Sequence, residues 1–242
     1  MAPKKILLLG ATGEAGIATI QYALSSTRDV EILVYARSPA KIPEELRADS
    51  RVRILPGGEL SDTAALRDAV AQKPDAIVSL LGPPPSEIGK WMNPWGAGKE
   101  LVFANTYRVI VDAMKEFGVR RILVMGTISI EDEKDKSSFG RSLMVWVVWA
   151  VIHNAWRNII AVRDYFDTIK REDGIDWTIF RLGGVLNGDF QAVTDGYVGD
   201  GNTTLSVRRS ELAQWLVEQA VKDEPEWVCE KPMVSSASKQ KV

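Results

Sequence analysis

The chain begins with a short apolar strand that runs directly into a glycine-rich turn. Residues 4–9 read Lys-Lys-Ile-Leu-Leu-Leu, and glycine then occurs at every third position from residue 10 to residue 16. These glycines permit a sharp turn, a close approach of the backbone to a phosphate, and close packing of the next helix on the strand. The first amides of that helix, whose body we place at 17–24, favour an anion. The predicted pyrophosphate site of a dinucleotide consists of Gly10, Ala11, Thr12, Gly13, Glu14, Ala15 and Gly16.

The end of the second apolar run, 30–36, indicates which dinucleotide is bound. NAD sites usually place an acidic residue here, about 20 residues beyond the glycines. This chain instead has Arg37, and Asp29 lies before the run. A guanidinium can hold the extra phosphate of NADP through two charge-assisted hydrogen bonds. We therefore predict NADP(H) as the cofactor, held by Arg37 with Ser38 and Lys41; the alternative is that Arg37 is an ordinary solvated arginine.

Composition limits the class of protein. The chain has 242 residues, of which 45% are hydrophobic, and a net charge of −2. We expect one domain over residues 1–242 and no nucleic-acid partner. The single cysteine, Cys229, is typical of a reducing compartment, and we expect a cytoplasmic protein. The single histidine excludes a histidine-rich metal centre, and we expect no metal ion.

Strand and helix patterns alternate along the chain. After the first two strands, we predict strands at 51–55, 75–81, 120–125 and 176–181 and helices at 61–71, 99–117, 155–172 and 211–222. The predicted helix caps are Ser61 or Asp62 and Ser210. The predicted fold is α/β, a Rossmann-type doubly wound parallel sheet. Residues of about 182–235 are expected to add a small C-terminal substrate-side lobe, and the polar residues 235–242 are expected to fray.

Folds of this type bind ligands at the carboxyl ends of their strands. This edge would join the glycine turn to residues 37, 58–60, 80–83 and 126–129. Further predicted cofactor contacts are Leu60, Leu80, Leu81, Gly82, Gly126 and Thr127. The loops at 86–98 and 130–154 and the region after 182 are expected to cover the substrate.

Several segments together resemble a known family. The matching segments are Gly10–Gly13, Tyr35–Ser38, Gly118–Ile122, Asp176–Arg181 and Val207–Ala213. With them the chain resembles the atypical short-chain dehydrogenases, and within these the NmrA-like, NAD(P)H-binding group that includes relatives of biliverdin reductase B, a flavin reductase. The resemblance implies a Rossmann fold, an NAD(P)H cofactor and an oxidoreductase activity.

The chain departs from the wider family in its catalytic pattern. Reducing members carry a Ser or Thr after the fifth strand and a Tyr-x-x-x-Lys on the next long helix. Thr127 and Ser129 match the hydroxyl group, but Tyr165 is followed four residues later by Ile169, with Lys170 one further. Relatives of biliverdin reductase B also lack the pair, so the resemblance still implies hydride transfer, with a proton taken from another group or from water.

The candidate catalytic residues are Thr127, Ser129, His153 and Arg157. An ordinary imidazole suits proton transfer near neutral pH, which makes His153 a candidate, although this residue ends an apolar stretch and capping or packing is the stronger interpretation. Arg157 suits a carboxylate or phosphate of the substrate or the cofactor, or a surface ion pair with a partner such as Asp164.

Residues 143–152 form an uncharged apolar run that is shorter than the roughly 20 residues of a membrane span. It has three interpretations: a buried helix over the active site, a dimer face, or an element that touches a membrane. We favour a pocket wall or self-association as a homodimer. With Trp91 and Trp95, the run predicts a small hydrophobic substrate.

The leading hypothesis is an NADPH-dependent reductase of a small hydrophobic carbonyl, enone, imine or flavin-like substrate in secondary metabolism. One alternative is a non-catalytic, NmrA-type redox sensor that binds NADP(H) and a protein partner. Another is a biosynthetic isomerase, or an enzyme of rearrangement or cyclisation, on the same scaffold.

Overall fold

A computed structural model describes residues 2–83, 88–92 and 101–238 of the chain. The strands are β1 Lys4–Leu9, β2 Val30–Tyr35, β3 Val52–Ile54, β4 Ala76–Ser79, β5 Arg121–Thr127, β6 Asp176–Leu182, β7 Gly184–Leu186, β8 Val193–Gly196, β9 Ser206–Arg208 and β10 Met233–Ser236. The helices are α1 Glu14–Ser25, α2 Glu44–Arg47, α3 Thr63–Val70, α4 Ile88–Met92, α5 Val102–Phe117, α6 Phe139–Val151, α7 His153–Asp167 and α8 Arg209–Val221.

The main sheet has the strand order β3-β2-β1-β4-β5-β6-β10-β8. All neighbours in it are parallel except β10 and β8, which are antiparallel. The strand order reverses between β1 and β4, where Leu9 is paired with Ser79, and this is where such sheets bind a ligand. The predicted Rossmann-type fold is confirmed.

Both faces of the sheet are covered, because the side chains of β1 alternate between two apolar clusters. Leu7 and Leu9 belong to a cluster with residues of α3, α5 and α7, whereas Ile6 and Leu8 belong to one with residues of α1 and α8. This alternation explains the continuous apolar sequence of the strand, which is typical of a parallel sheet buried on both sides.

The long helix before β6 is shorter than the predicted 155–172, which is a correction. This helix, α7, runs over His153–Asp167. It ends there because other donors bind the carbonyl groups that a longer helix would need as hydrogen-bond acceptors. Thr168 Oγ1 donates to the carbonyl of Tyr165 at 2.6 Å, and Trp177 Nε1 donates to that of Ile169 at 3.0 Å. A short 3-10 turn follows at residues 171–173.

The predicted helix caps have mixed outcomes. Asp62 caps α3 by accepting a hydrogen bond from the Ala65 amide at 3.0 Å, as one of the two predicted alternatives stated. Ser210 as the cap of α8 is wrong, because the helix begins at Arg209. There the Glu211 carboxylate accepts from the backbone amide of Arg208 at 3.1 Å, so an acidic side chain inside the first turn satisfies the amide before the helix.

The first residues of the polar C-terminal segment are more ordered than expected. The predicted fraying of 235–242 is wrong for Ser235 and Ser236, which are buried in β10, and residues 239–242 lie outside the described residues. β10 lies between β6 and β8, and Ser236 Oγ donates to Glu211 at 2.5 Å. Residues 182–235 contribute the small β7–β9 sheet, and also β8, α8 and most of β10, which extend the main sheet and its helical layer.

The apolar run at 143–152 forms most of α6, in which no residue is buried, so its interpretation as a buried helix is wrong. Among the described residues, no single helix is long and apolar enough to cross a bilayer. The pair α6 and α7 passes on length and composition, but it is bent by 115° at the junction. α5 begins at Val102, and the predicted earlier start at residue 99 lies outside the described residues, as does Trp95.

Candidate functional site: a dinucleotide cleft

The turn between β1 and α1 depends on two of its three glycines for close packing. Gly10 has a φ of +80°, and a Cβ there would lie 2.7 Å from the carbonyl oxygen of Leu80. A Cβ on Gly16 would lie 2.5 Å from the carbonyl oxygen of Gly10. A Cβ on Gly13 would meet its nearest described neighbour at an ordinary 3.5 Å. Gly13 therefore leaves free the space that an approaching phosphate requires.

The first turn of α1 offers unpaired amides at the same place. Gly13 is the residue before the helix and provides no side-chain cap. Its amide donates to the Gly10 carbonyl at 3.2 Å, and the Ile17 amide donates to the Gly13 carbonyl at 2.9 Å. Within the described part of the chain, the amides of residues 14–16 have no acceptor. Together with the helix dipole they form an anion site that fits a pyrophosphate.

A cleft of about 350 Å³ opens beside this turn, at the carboxyl ends of β1, β2 and β4. The predicted cofactor residues that line it are Gly10, Thr12, Arg37, Leu60, Leu81 and Gly82. The structure therefore brings together residues from four separate segments, as expected from the strand order. Gly126 and Thr127 lie further along the sheet edge, at the end of β5.

The other predicted cofactor residues surround the cleft without lining it. Ala11 is buried beneath the turn, and Leu80 packs against Gly10. Ser38 and Lys41 lie at the two ends of a 3-10 turn that directly follows Arg37.

Glu14 lies on another side of α1 and is held by an ion pair. Its carboxylate is 2.5 Å from the guanidinium of Arg209, which also hydrogen-bonds Asn187. Arg209 neutralises the carboxylate of Glu14. The negative charge of Glu14 in the first turn of α1 therefore does not repel an anion bound at the helix amides.

One wall of the cleft is fixed by a hydrogen bond that the sequence did not reveal. Tyr35, the last residue of β2, donates from its hydroxyl to the carbonyl of Glu59 at 2.8 Å. Burial raises the pKa of Tyr35, which keeps this hydroxyl protonated. A Cβ on Gly58 would lie 2.3 Å from the carbonyl carbon of Ala36, so the segment after β3 lies directly against the end of β2. In the sequence, the Gly57-Gly58 pair was the feature that could have indicated this close approach.

Arg37 is exposed, and it makes no hydrogen bond or ion pair with any described residue. Among the described residues that line the cleft, the one carboxylate belongs to Glu59, which follows β3 rather than β2. A guanidinium at the end of β2, without a competing carboxylate beside it, fits a phosphate on the adenosine ribose.

Two stacked aromatic rings form another part of the cleft wall. Trp91 of α4 and Phe103 of α5 are 5.6 Å apart between ring centroids and almost parallel, at 2°. Both rings are buried and line the cleft together with Val102. Tyr35, Ser61, Val102 and Phe103 are lining residues that sequence reasoning missed.

The candidate catalytic residues do not line this cleft. Thr127 Oγ1 accepts a hydrogen bond from the Ser129 amide at 3.3 Å, and Ser129 is buried. His153 lies between two aromatic rings, at 5.8 Å from Trp149 and 5.6 Å from Trp156 between centroids. Thr127 and Ser129 come from one segment and His153 from another, and the catalytic roles of all three stay predictions.

Arg157 is exposed and makes no ion pair within the described ranges. The alternative ion pair with Asp164 is wrong, because Arg163 pairs with Asp164 at 2.6 Å.

The structure also shows where the displaced tyrosine and lysine lie. Tyr165 is in the last turn of α7, its ring packed on Phe166 and below the guanidinium of Arg108. Burial raises the pKa of Tyr165 to about 12. Lys170 lies beyond the end of the helix. A helical tyrosine–lysine pair is therefore not formed by these two residues.

Solved structures share this fold across nearly the whole chain. A short-chain dehydrogenase/reductase from Veillonella parvula in complex with NADP has a TM-score of 0.68 and 16% identity, covering 96% of this chain and 94% of that one. A Rossmann-fold NAD(P)-binding family protein from Shigella flexneri has a TM-score of 0.66 and 18% identity, covering 98% and 97%. The oxidoreductase ylbE from Lactococcus lactis has a TM-score of 0.63 and 17% identity, covering 96% and 90%.

The family assignment comes from the sequence itself. The model of a family described as NAD(P)H-binding matches residues 10–223, which include the glycine turn, the cleft and α8. This agrees with the resemblance to atypical short-chain dehydrogenases of the NmrA-like group, and it confirms NAD(P)H as the class of cofactor. The chain is a member of the NAD(P)H-binding family of Rossmann-fold proteins.

Proposed function

We propose that the protein is an NADPH-dependent oxidoreductase that reduces a small hydrophobic carbonyl, enone, imine or flavin-like substrate. The observation that carries the preference for NADPH is the exposed guanidinium of Arg37 at the end of β2, which has no partner among the described residues. The pyrophosphate would lie on the first amides of α1, and the adenosine between Gly58 and the Trp91–Phe103 stack. When bound, NADPH supplies a hydride.

The reaction consumes one NADPH, one proton and the substrate, and yields NADP⁺ and the reduced substrate. The protein must therefore orient the substrate and supply or relay a proton. Thr127 and Ser129, at the end of β5, provide hydroxyls at the part of the sheet edge beyond the cleft. His153 and water are the further proton sources, and Arg157 would hold a substrate carboxylate or phosphate.

The cofactor preference is tested by calorimetric titration of Arg37→Ser with NADPH and with NADH. Loss of a charge-assisted phosphate contact should weaken NADPH binding roughly 10- to 100-fold and change NADH affinity little. Arg53→Ser is the matched control, because Arg53 is an exposed arginine on β3 that faces Glu31 at 3.6 Å. An unchanged NADPH-to-NADH affinity ratio in Arg37→Ser would contradict the assignment.

The reaction is tested with NADPH carrying deuterium at the nicotinamide C4, offered with a panel of hydrophobic acceptors. Reduction of a carbonyl, enone or imine transfers the label to a carbon atom of the product, whereas label delivered to N5 of a flavin exchanges with water. In every case one NADPH is oxidised for each product molecule. An isomerisation, rearrangement or cyclisation leaves the product mass unchanged and the label on the cofactor. Tight NADPH binding without turnover of any acceptor would reject the reductase.

A second candidate function is a redox sensor, favoured by the position of Tyr165 and Lys170, which do not form a helical pair. Such a protein binds a partner whose affinity changes between NADP⁺ and NADPH, and a pull-down under both conditions tests it. For either function we propose a cytoplasmic location, since the single Cys229 cannot form an internal disulfide.

A further inference from the structure

A buried amide side chain of α7 lies beside the helices that form the aromatic part of the cleft wall. Asn158, in the middle of α7, has no solvent-exposed surface. Burial of an amide group costs free energy unless its polar atoms are hydrogen-bonded. α7 packs against α4 and α5, the helices that carry Trp91 and Phe103. A buried amide at this place therefore indicates a specific polar contact between helices.

The contact is with the backbone at the start of α5. The amide of Phe103 donates to Asn158 Oδ1 at 3.4 Å, and the bond is buried. Phe103 is in the first turn of α5, where backbone amides have no acceptor within the helix. Asn158 therefore caps α5 from a neighbouring helix, a role that usually belongs to the side chain of the residue before the helix.

The residue before α5 cannot provide this cap. It is Leu101, whose side chain has no hydrogen-bond acceptor. Leu101 also has a φ of +53°, in the left-handed region that a leucine rarely adopts. A strained conformation of this kind persists only where the surrounding structure imposes it. The bond between Phe103 and Asn158, two residues later in the chain, helps to impose it.

The residue whose amide is held also contributes a ring to the cleft. The Phe103 ring is stacked on that of Trp91, and both residues line the cleft. Because the ring follows the backbone to which it is attached, any shift of the Phe103 amide displaces the stack. The contact with Asn158 therefore sets the position of this part of the wall, although Asn158 is not among the described residues that line the cleft.

We propose that Asn158 is a positioning residue for the cofactor. Through the Phe103 amide, it holds the Phe103 ring where the adenosine half of NADPH packs. The inference rests on the proposed placement of the adenosine beside the Trp91–Phe103 stack, but it does not depend on hydride transfer to any substrate.

The test is calorimetric titration of Asn158→Leu with NADPH and with adenosine 2′,5′-bisphosphate, which lacks the nicotinamide half. Affinity for both ligands should fall by a similar factor, roughly 3- to 10-fold, because the wall loses one hydrogen bond that holds it. Asn158→Asp keeps an acceptor oxygen for the Phe103 amide and should recover most of the affinity. Asn158→Ala takes the place of Asn158→Leu if the latter does not fold.

Gln219→Leu is the matched control, because it also removes a buried amide, whose Nε2 donates to Glu226 at 3.1 Å. Gln219 is in α8, on the other face of the sheet. This variant should have a lower melting temperature but unchanged affinity for both ligands. A loss of affinity that came from reduced stability alone would appear in it as well.

A double-mutant cycle tests whether Phe103 transmits the effect. In a Phe103→Ala background, Asn158→Leu should change NADPH affinity less than about twofold, because the ring that Asn158 positions has been removed. The proposal is overturned if a folded Asn158→Leu or Asn158→Ala variant binds both ligands normally, if only NADPH affinity falls, or if Asn158→Asp binds no better than Asn158→Leu. An unaltered protein that binds both ligands but reduces no acceptor would reject the reductase and leave this inference standing.

Discussion

Asp135 and Arg181 form a buried ion pair with two hydrogen bonds, of 2.5 Å and 2.8 Å, between the carboxylate and the guanidinium. Arg181 lies in β6 and also donates to the carbonyl of Ile130 at 3.0 Å, while the Val198 amide donates to Asp135 at 3.0 Å. The pair thus connects the centre of the sheet with the segment that leads from Thr127 and Ser129 towards α6.

Replacing one member of this pair should destabilise the protein strongly. Asp135→Ala leaves the guanidinium of Arg181 buried without its counter-charge, which costs about 3–5 kcal/mol of unfolding free energy. Urea unfolding measures this loss. Asp164→Ala is the control, since it breaks an exposed ion pair with Arg163 and should cost no more than about 1 kcal/mol. Equal losses in both variants would show that burial of the pair does not matter.

Glu211 should make stability depend on acidic pH. Burial alone raises the pKa of Glu211, but hydrogen bonds from Ser236 and from the amides of Arg208 and Gln191 outweigh it and hold the pKa below 4.5. Because the pKa is lower in the folded state, the stabilisation is present above about pH 4.5 and is lost as pH falls through the folded-state pKa.

Urea midpoints measured from about pH 6 to about pH 3 test this. Glu211→Gln should be less stable than the unaltered protein at neutral pH, and should lose less further stability on acidification. Parallel pH profiles for the two proteins would contradict the prediction.

Gly13→Ala should lower NADPH affinity, whereas Gly16→Ala should lower the stability of the fold. A Cβ on Gly16 meets the Gly10 carbonyl at 2.5 Å, so Gly16→Ala should have a lower melting temperature than the unaltered protein. A Cβ on Gly13 meets a described atom only at 3.5 Å, so Gly13→Ala should keep its melting temperature. It should nevertheless lose NADPH affinity about tenfold or more, because the methyl group occupies phosphate space. Unchanged NADPH affinity in a folded Gly13→Ala variant would show that the pyrophosphate does not bind at this turn.

Tyr35→Phe should affect both cofactors equally. The variant loses the hydrogen bond to Glu59, which is worth about 0.5–1.5 kcal/mol, and frees the segment that forms one cleft wall. Calorimetry should show NADPH and NADH affinity reduced by a similar factor, roughly 2- to 10-fold. A loss confined to NADPH would indicate that Tyr35 acts through Arg37 instead of through the wall.

The sequence predicts the β1 turn and the Rossmann-type parallel sheet well, because the glycine spacing and apolar runs are local signals with few alternatives. The Tyr35–Glu59 and Trp91–Phe103 contacts could not be predicted in the same way, since they join residues far apart in sequence through tertiary packing. β10 was missed for a related reason: its serines look polar, yet they are buried because Glu211 and the neighbouring backbone satisfy their hydroxyls.

The position of β10 has a consequence for synthesis. Among the described strands, β8 is joined to the main sheet only through β10, which is synthesised after it, and until then β6 is an edge strand. Residues before β10 already pair with β6, since the Cys229 amide donates to Trp177 and the amides of Ile179 and Arg181 donate to Glu230 and Pro232. A nascent chain stalled before Cys229 therefore exposes the unpaired backbone of β6, a template for aggregation. Chaperone dependence should be greatest in this late interval, and chains truncated before residue 229 should be insoluble even though they keep the entire cofactor cleft.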